Sequence, residues 1–257
     1  APEQRGSASG LHALGFAVGM ALGPAIGTPL YQLSPKFAAV FGASVLLAGL
    51  AASALLPGGT LALQPRGQRV AGKLTLPLHG IFAYGFAESA LFALYPAVLV
   101  EAGMRVSQIG IIFLCFVVGS IIATLPLTRL GDTIGRRRTL SGCVLVGTLG
   151  VLGLLWAPTF PLLLACATLA GGAVGSSYAL NVALVGDQLS AEELPSGMAL
   201  FTIALGLGCV AGPLVTGAAV AAFGGAVTFV PTAIVFAALL ARLAADLPEA
   251  ERHLQRH

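Results

Sequence analysis

The chain has 257 residues, of which 57% are hydrophobic and only 9% are charged, and its formal net charge is +3. Because soluble domains carry about a quarter of their residues as charged side chains, this composition excludes an ordinary water-soluble domain and predicts that lipid is the main solvent. The small net charge, with few basic residues and no aromatic residues interleaved among them, gives no support to a nucleic-acid partner.

Apolar runs long enough to cross a bilayer recur along the chain. About 20 residues at 1.5 Å per residue cross about 30 Å of hydrocarbon, where backbone groups must be satisfied within helices. The sequence therefore predicts an all-α polytopic membrane protein with about eight transmembrane helices. The runs cover residues 8–31, 37–57, 75–100, 108–128, 139–157, 160–185, 196–222 and 226–243.

Basic residues are distributed unevenly over the segments between these runs. If the first run starts in the cytoplasm, 11 of the 13 Lys and Arg residues fall in cytoplasmic segments, and only Lys36 and Arg105 fall outside. Cytoplasmic loops carry an excess of Lys and Arg. The asymmetry predicts a bacterial-type plasma (inner) membrane protein with both ends of this chain in the cytoplasm.

An internal repeat links the first and seventh runs. Gly19-x3-Gly23-Pro24 lies in the first run, and the same pattern recurs in the seventh run as Gly-x3-Gly-Pro at 208–213. Repeats of membrane helices are typical of secondary transporters. If each repeat is a six-helix unit, both copies are fifth helices, and we expect four helices ahead of Ala1.

The long polar segment between the second and third runs sets the predicted domain boundaries. Two runs precede it and six follow it. We therefore expect the last two helices of an N-terminal six-helix bundle, a cytoplasmic central loop, a C-terminal six-helix bundle and a cytoplasmic tail. These are residues 1–57, 58–74, 75–243 and 244–257.

The segment TRLGDTIGRRRTL at 128–140 resembles the cytoplasmic loop signature of the major facilitator superfamily. Asp132 is expected to accept backbone N–H groups or to pair with Arg136 one turn later. The resemblance implies a gating loop that locks one half of a carrier against the other, and a simple positive-inside anchor is the alternative. Thr128 and Thr133 depart from the signature, which is matched by Leu130, Asp132, Gly135, Arg136, Arg137 and Leu140.

The first run resembles the fifth-helix signature of proton-coupled exporters in the same superfamily. It departs from that signature only at Thr28 and matches it at Gly10, Gly19, Gly23, Pro24 and Gly27. The resemblance implies a helix-packing motif associated with antiport, and helix packing without a role in coupling is the alternative. Together the two resemblances imply a major facilitator fold in which this chain supplies helices five to twelve of twelve.

Glu88 is the only acidic residue in the middle of a predicted span. A carboxylate at bilayer depth is costly, so it should face a water-filled cavity or be protonated. Tyr84 and Tyr95 fall within about 40° of the same helix face. We expect Glu88 to take part in proton coupling or in binding a cationic substrate, and a protonated glutamate bonded to a neighbouring helix is the alternative.

A second polar set lies in the sixth run, where Ser177 and Asn181 are one turn apart and Tyr178 is adjacent. These side chains are candidates for substrate contact, although Ser and Asn also link helices in lipid. The only acidic cluster, Asp187 with Glu192 and Glu193, is interpreted as a solvated loop.

These features predict secondary active transport of a small solute by alternating access, with proton-coupled antiport (efflux) favoured. The partners would be the lipid bilayer, a small-molecule substrate and protons, for a protein that is a monomer at full length. A proton symporter or uniporter for a sugar, amino acid or organic anion is the nearest alternative, and a non-transporting scaffold is a remote one. No catalytic cluster or cofactor motif was found, and the four cysteines lack metal-ligand spacing, so neither an enzyme nor a metal site is expected.

Overall fold

The chain forms two compact units, residues 1–63 and residues 64–257. A computed structural model describes residues 19, 22–23, 26–27, 29–31, 33–55 and 67–254. The described residues lie in helices and short connections and include no strand, which confirms the predicted all-α class.

In the first unit, helix α1 spans Pro35–Ala54 and corresponds to the predicted run 37–57. Its large apolar side chains are exposed on every side, as in Leu46 and Leu47. A helix that is hydrophobic all round suits a lipid environment. Most of the first predicted run, 8–31, lies outside the described residues, although those described between 19 and 33 are helical.

The second unit contains the remaining helices. In the part of the chain that the structure describes, seven helices, α1 among them, are long and apolar enough to cross a membrane, which confirms seven of the predicted runs. The helices of this unit are α2 (Gly67–Lys73), α3 (Thr75–Glu101), α4 (Val106–Ile134), α5 (Arg136–Trp156), α6 (Phe160–Gln188), α7 (Leu194–Phe223) and α8 (Val230–Leu254), with a short 3-10 turn at Gly225–Val227.

Helix α2 lies within the predicted central loop, 58–74. Residues 67–73 form nearly two helical turns, and 58–66 lie outside the described residues. Val70 and Leu74 are spaced four residues apart, so both project from one face, and both are fully buried. This small apolar face holds the segment against the helices that follow it.

The junction of α4 and α5 is also shorter than predicted, since the expected break from Arg129 to Arg138 is reduced to Gly135. Gly135 has φ of 100°, a conformation that glycine adopts readily because it has no Cβ. Its N–H donates to the carbonyl of Gly131, and its own carbonyl accepts from the Thr139 N–H, each over 3.1 Å. One residue therefore ends α4 and starts α5.

Glycines allow α3 and α7 to approach backbone to backbone. A methyl group placed on Gly208 would overlap the carbonyl oxygen of Phe82, and one on Gly212 would overlap that of Phe86. Small residues permit such close approach of membrane helices. The second copy of the repeated glycine pattern is therefore the packing surface between α7 and α3.

Helix α6 packs in the same way against both of its partners. A methyl group on Gly171 would overlap the backbone carbonyl of Phe116 on α4, and Gly150 of α5 lies directly against Ala170. Helices α4, α5 and α6 therefore form one tightly packed group, while α7 holds α3.

Candidate substrate and proton site

Glu88 lies in the middle of α3 and is half-buried. The Tyr84 hydroxyl, one turn earlier on the same helix, donates a hydrogen bond of 2.6 Å to Glu88 Oε1. The i, i+4 spacing brings the two side chains together, as the sequence predicted. Among the described residues, Glu88 forms no ion pair with a basic side chain.

A row of aromatic rings extends from Tyr84 to α6 and α7. The ring of Tyr84 lies 5.5 Å from that of Tyr178 on α6, and Tyr178 lies 5.8 Å from Phe201 on α7, edge to face. Cys209 of α7 lies beside Gly85 of α3. The site is thus built from α3, α6 and α7. The sequence singled out Tyr178, but it gave no signal for Phe201 or Cys209 in this place.

The structure does not bring Tyr95 to Glu88. The Tyr95 hydroxyl donates to the backbone carbonyl of Leu154 on α5 over 2.7 Å, and its ring packs 4.9 Å from Phe229. Its side chain is almost completely buried. Tyr95 lies seven residues, about 10 Å, further along α3 on nearly the same face, so its side chain meets α5 rather than Glu88.

Ser177 and Asn181 are both buried on α6. The Ser177 hydroxyl donates to the Val174 carbonyl over 2.6 Å, and Asn181 Nδ2 donates to the Ser177 carbonyl over 2.8 Å. Asn181 Oδ1 accepts no hydrogen bond from the described residues and lies against Gly80 of α3. The predicted substrate contacts are therefore shielded in this conformation.

A charged network joins the ends of α4, α5 and α6. Arg136 pairs with Asp132 of α4 at 3.0 Å, which confirms the predicted pairing, and with Asp187 of α6 at 2.5 Å. It also donates to the Ala183 carbonyl over 2.8 Å. Of the other motif residues, Leu130 is exposed, and the Arg137 side chain is half-buried.

The interpretation of the acidic cluster as a solvated loop was wrong for Asp187, which lies within α6, whereas Glu193 does lie in the turn before α7. Asp187 belongs to α6 and to the Arg136 network, and Glu193 precedes α7 and pairs with Lys73 of α2 at 2.6 Å. The hydrogen bond from Lys73, followed by one from the Ser190 N–H, holds the pKa of the Glu193 carboxyl below its usual 4.5. Both partners are distant in sequence, so local patterns gave no signal for either pair.

The glycine strip of the first run is described only in part. A methyl group on Gly19, Gly23 or Gly27 would meet no atom of the described residues within 4 Å. Gly10 and Pro24 lie outside the described residues. The role predicted for this strip stays a prediction.

Comparisons with known proteins agree with the architecture. Residues 78–257 match the family profile of the Major Facilitator Superfamily. The chain is 29% identical over 225 residues to a protein of Bacillus subtilis (strain 168) described as an uncharacterized MFS-type transporter, YfkF. The match covers 84% of this chain and 57% of that relative, so the chain spans little more than half of the relative's length.

Proposed function

The chain belongs to the Major Facilitator Superfamily, and we propose that it serves secondary active transport of a small organic cation by alternating access, in exchange for protons. Family membership supports membrane transport of a small solute. The observation that supports the finer assignment is the half-buried Glu88 carboxylate, whose hydrogen-bonding partner is the neutral Tyr84 hydroxyl rather than a basic side chain.

Glu88 supplies a single negative charge that a proton or a cation can neutralise. An unpaired negative charge at bilayer depth is costly, so we expect Glu88 to hold either a proton or a cation at all times. Because one carboxylate cannot hold both, arrival of a proton releases the cation. This competition couples the two fluxes and yields antiport.

The surrounding groups suit a cation with an apolar, flat portion. Within the described residues, Tyr84 on α3 donates to Glu88, Tyr178 on α6 packs against Tyr84, and Cys209 on α7 lies beside Gly85. The faces of the aromatic rings attract cations. An organic anion would find no basic partner in this group.

The network of Arg136 with Asp132 and Asp187 is assigned the gating role. It ties the ends of three helices with charge-assisted bonds that break and re-form as a unit. The proposal places this network at the cytoplasmic face of a bacterial inner membrane, with both ends of this chain in the cytoplasm. In this proposal, residues 75–243 form the C-terminal bundle of a carrier that works as a monomer.

The test uses the intact protein in proteoliposomes, with ethidium as a flat, fluorescent organic cation and an imposed pH gradient as the driving force. We expect Glu88→Gln to insert normally but to lose proton-driven ethidium transport, because the neutral amide binds neither a proton nor a cation. Glu101→Gln is the matched control, since Glu101 is an exposed carboxylate at the end of the same helix.

Proton-driven ethidium transport by Glu88→Gln at the parental rate would contradict the proposal. Movement of ethidium in the same direction as the protons would replace antiport by symport. Equal rates with and without the pH gradient would favour a uniporter.

A further inference from the structure

Tyr178 of α6 packs against two aromatic rings that belong to other helices. Its ring centre lies 5.5 Å from that of Tyr84 on α3 and 5.8 Å from that of Phe201 on α7. The Tyr178 and Phe201 rings meet edge to face, at an angle of 75°. This arrangement brings the electropositive edge of one ring to the electronegative face of the other, which favours it over a parallel stack. Phe201 therefore restrains the angle at which the Tyr178 ring is held.

Phe201 is enclosed by its neighbours, whereas Tyr178 is not. Only 1% of the Phe201 surface is exposed, and Tyr84 is 3% exposed, but Tyr178 is half-buried. Protein interiors are closely packed, so removing a buried ring leaves space that a neighbouring side chain can enter. Because Tyr178 is the less enclosed of the two neighbours in this row, its ring is the one with freedom to turn into that space.

Helix α7 holds Phe201 at a fixed place relative to α3. A methyl group on Gly85 would overlap the carbonyl oxygen of Leu205, which is one turn after Phe201, so the two backbones touch beside Tyr84. The glycine contacts described above for α7 and α3 continue this close packing. Tyr84 and Phe201 therefore stand on a helix pair with little room to slide, and the Tyr178 ring from α6 packs on both of them.

We propose that Phe201 is a positioning residue for Glu88. It holds the Tyr178 ring against Tyr84, and Tyr84 in turn keeps its hydroxyl on the Glu88 carboxylate. Without the Phe201 ring, Tyr178 turns into the vacated space, the Tyr84 ring loses its restraint, and its hydroxyl leaves Glu88 for part of the time. The inference rests on the proposed function in that Glu88 is the group that exchanges protons for the solute.

The infrared band of the Glu88 carboxyl reports the bond from Tyr84 and requires no transport. In the intact protein, reconstituted in liposomes at acidic pH, subtraction of the Glu88→Gln spectrum isolates the C=O stretching band of protonated Glu88. A hydrogen bond to the carbonyl oxygen lowers the frequency of this band, so Tyr84→Phe is expected to raise it. Phe201→Leu is expected to shift the band in the same direction, toward the position found in Tyr84→Phe.

Transport supplies a second readout in the form of a double-mutant cycle. Phe201→Leu is expected to slow proton-driven ethidium transport about threefold, within the range expected for loss of one net hydrogen bond. In the Tyr84→Phe background the same substitution should slow transport no further, because the bond that Phe201 supports is already absent. Two independent defects would instead multiply, since effects at uncoupled sites add in free energy.

Phe229→Leu is the matched control, because Phe229 is a fully buried ring that packs on Tyr95 rather than on the row leading to Glu88. It removes the same ring and is expected to lower the melting temperature about as much as Phe201→Leu does, but to leave the Glu88 band at the parental frequency. If Phe201→Leu does not insert, Phe201→Met carries the same comparison, because a flexible methionine fills irregular space without an aromatic edge.

A Glu88 band at the parental frequency in Phe201→Leu overturns the positioning role. An equal shift in Phe229→Leu overturns it too, as does a multiplied loss of transport in the double variant. If Glu88→Gln transports ethidium at the parental rate, the proposed function fails while the infrared comparison still decides the role of Phe201, so the two proposals can fail separately.

Discussion

The carboxylates of this protein occupy two contrasting environments. At the helix ends, Asp132 and Asp187 share the guanidinium of Arg136. In the middle of α3, Glu88 has only the Tyr84 hydroxyl for a hydrogen bond. The first arrangement gives each carboxylate a basic partner, whereas Glu88 has none among the described residues.

Under the proposed function, this contrast separates groups that stabilise the fold from groups that take part in transport. An ion pair between two side chains contributes to stability. It exchanges no ligand, because both partners are part of the protein. A carboxylate bonded to a neutral hydroxyl keeps that bond as a proton or a cation comes and goes. We therefore expect substitutions in the Arg136 network to affect stability most, and substitutions around Glu88 to affect transport most.

The largest effect is expected from Arg136→Ala. It leaves two carboxylates and the Ala183 carbonyl without their shared donor, and hydrogen bonds to charged groups contribute about 1.5–3 kcal/mol. We expect the free energy of unfolding to fall by about 2–3 kcal/mol, measured by thermal unfolding of the purified protein in detergent. Arg129→Ala, which removes an exposed arginine from α4, is the control. Equal melting temperatures for the two variants would show that the Arg136 network does not stabilise the fold.

The second prediction compares two tyrosines of α3. Tyr84→Phe removes the hydrogen bond to Glu88 and is expected to slow proton-driven ethidium transport about three- to tenfold, the range that corresponds to one net hydrogen bond. Tyr95→Phe removes the bond to the Leu154 carbonyl and is expected to lower stability by about 1 kcal/mol without changing the transport rate. If Tyr95→Phe slowed transport as much as Tyr84→Phe, the division between structural and functional polar groups would be wrong.

The smallest effect is expected at the Lys73–Glu193 pair, in which the basic side chain, Lys73, is more exposed than Arg136 and binds one carboxylate rather than two. The pKa of Glu193 is lowered in the folded protein, so its carboxylate stabilises the docking of α2 above pH 4.5, and this contribution is lost as the pH falls through the lowered pKa. Glu193→Gln is expected to speed hydrogen exchange of the α2 amides about twofold at pH 7.

The difference between Glu193→Gln and the parent should shrink as the pH is lowered below 4.5. Glu101→Gln, at the far end of α3, should not alter exchange in α2 at either pH. A difference that grew toward low pH would reverse the assigned sign.

The helices could be predicted wherever composition alone determines the secondary structure. Runs of apolar residues must be helical in lipid, and the described helices follow those runs closely. The predicted helix boundaries differ from the observed ones where the sequence is polar but tertiary contacts or a single glycine determine the local structure. Val70 and Leu74 make α2 a helix by packing on their neighbours, and Gly135 alone divides α4 from α5.

The candidate site was predictable only within single helices. Tyr84 and Glu88 are four residues apart, so the helical repeat was enough to pair them. The contact of Gly80 with Asn181 joins residues 101 positions apart, and Asp187 is 51 positions from Arg136. Such pairs depend on how α6 packs against α3 and α5, which no pattern in one segment encodes.

The glycine packing of α7 against α3 has a mechanical consequence. Gly208 and Gly212 hold the backbone of α3 at Phe82 and Phe86, between the Gly80–Asn181 contact and the rest of the helix. Sliding α3 along α7 would drive its carbonyl groups into the α7 backbone, whereas tilting it about these points separates few atoms. We therefore expect α3 to tilt about residues 82–86, so that its N-terminal and C-terminal ends would move in opposite directions.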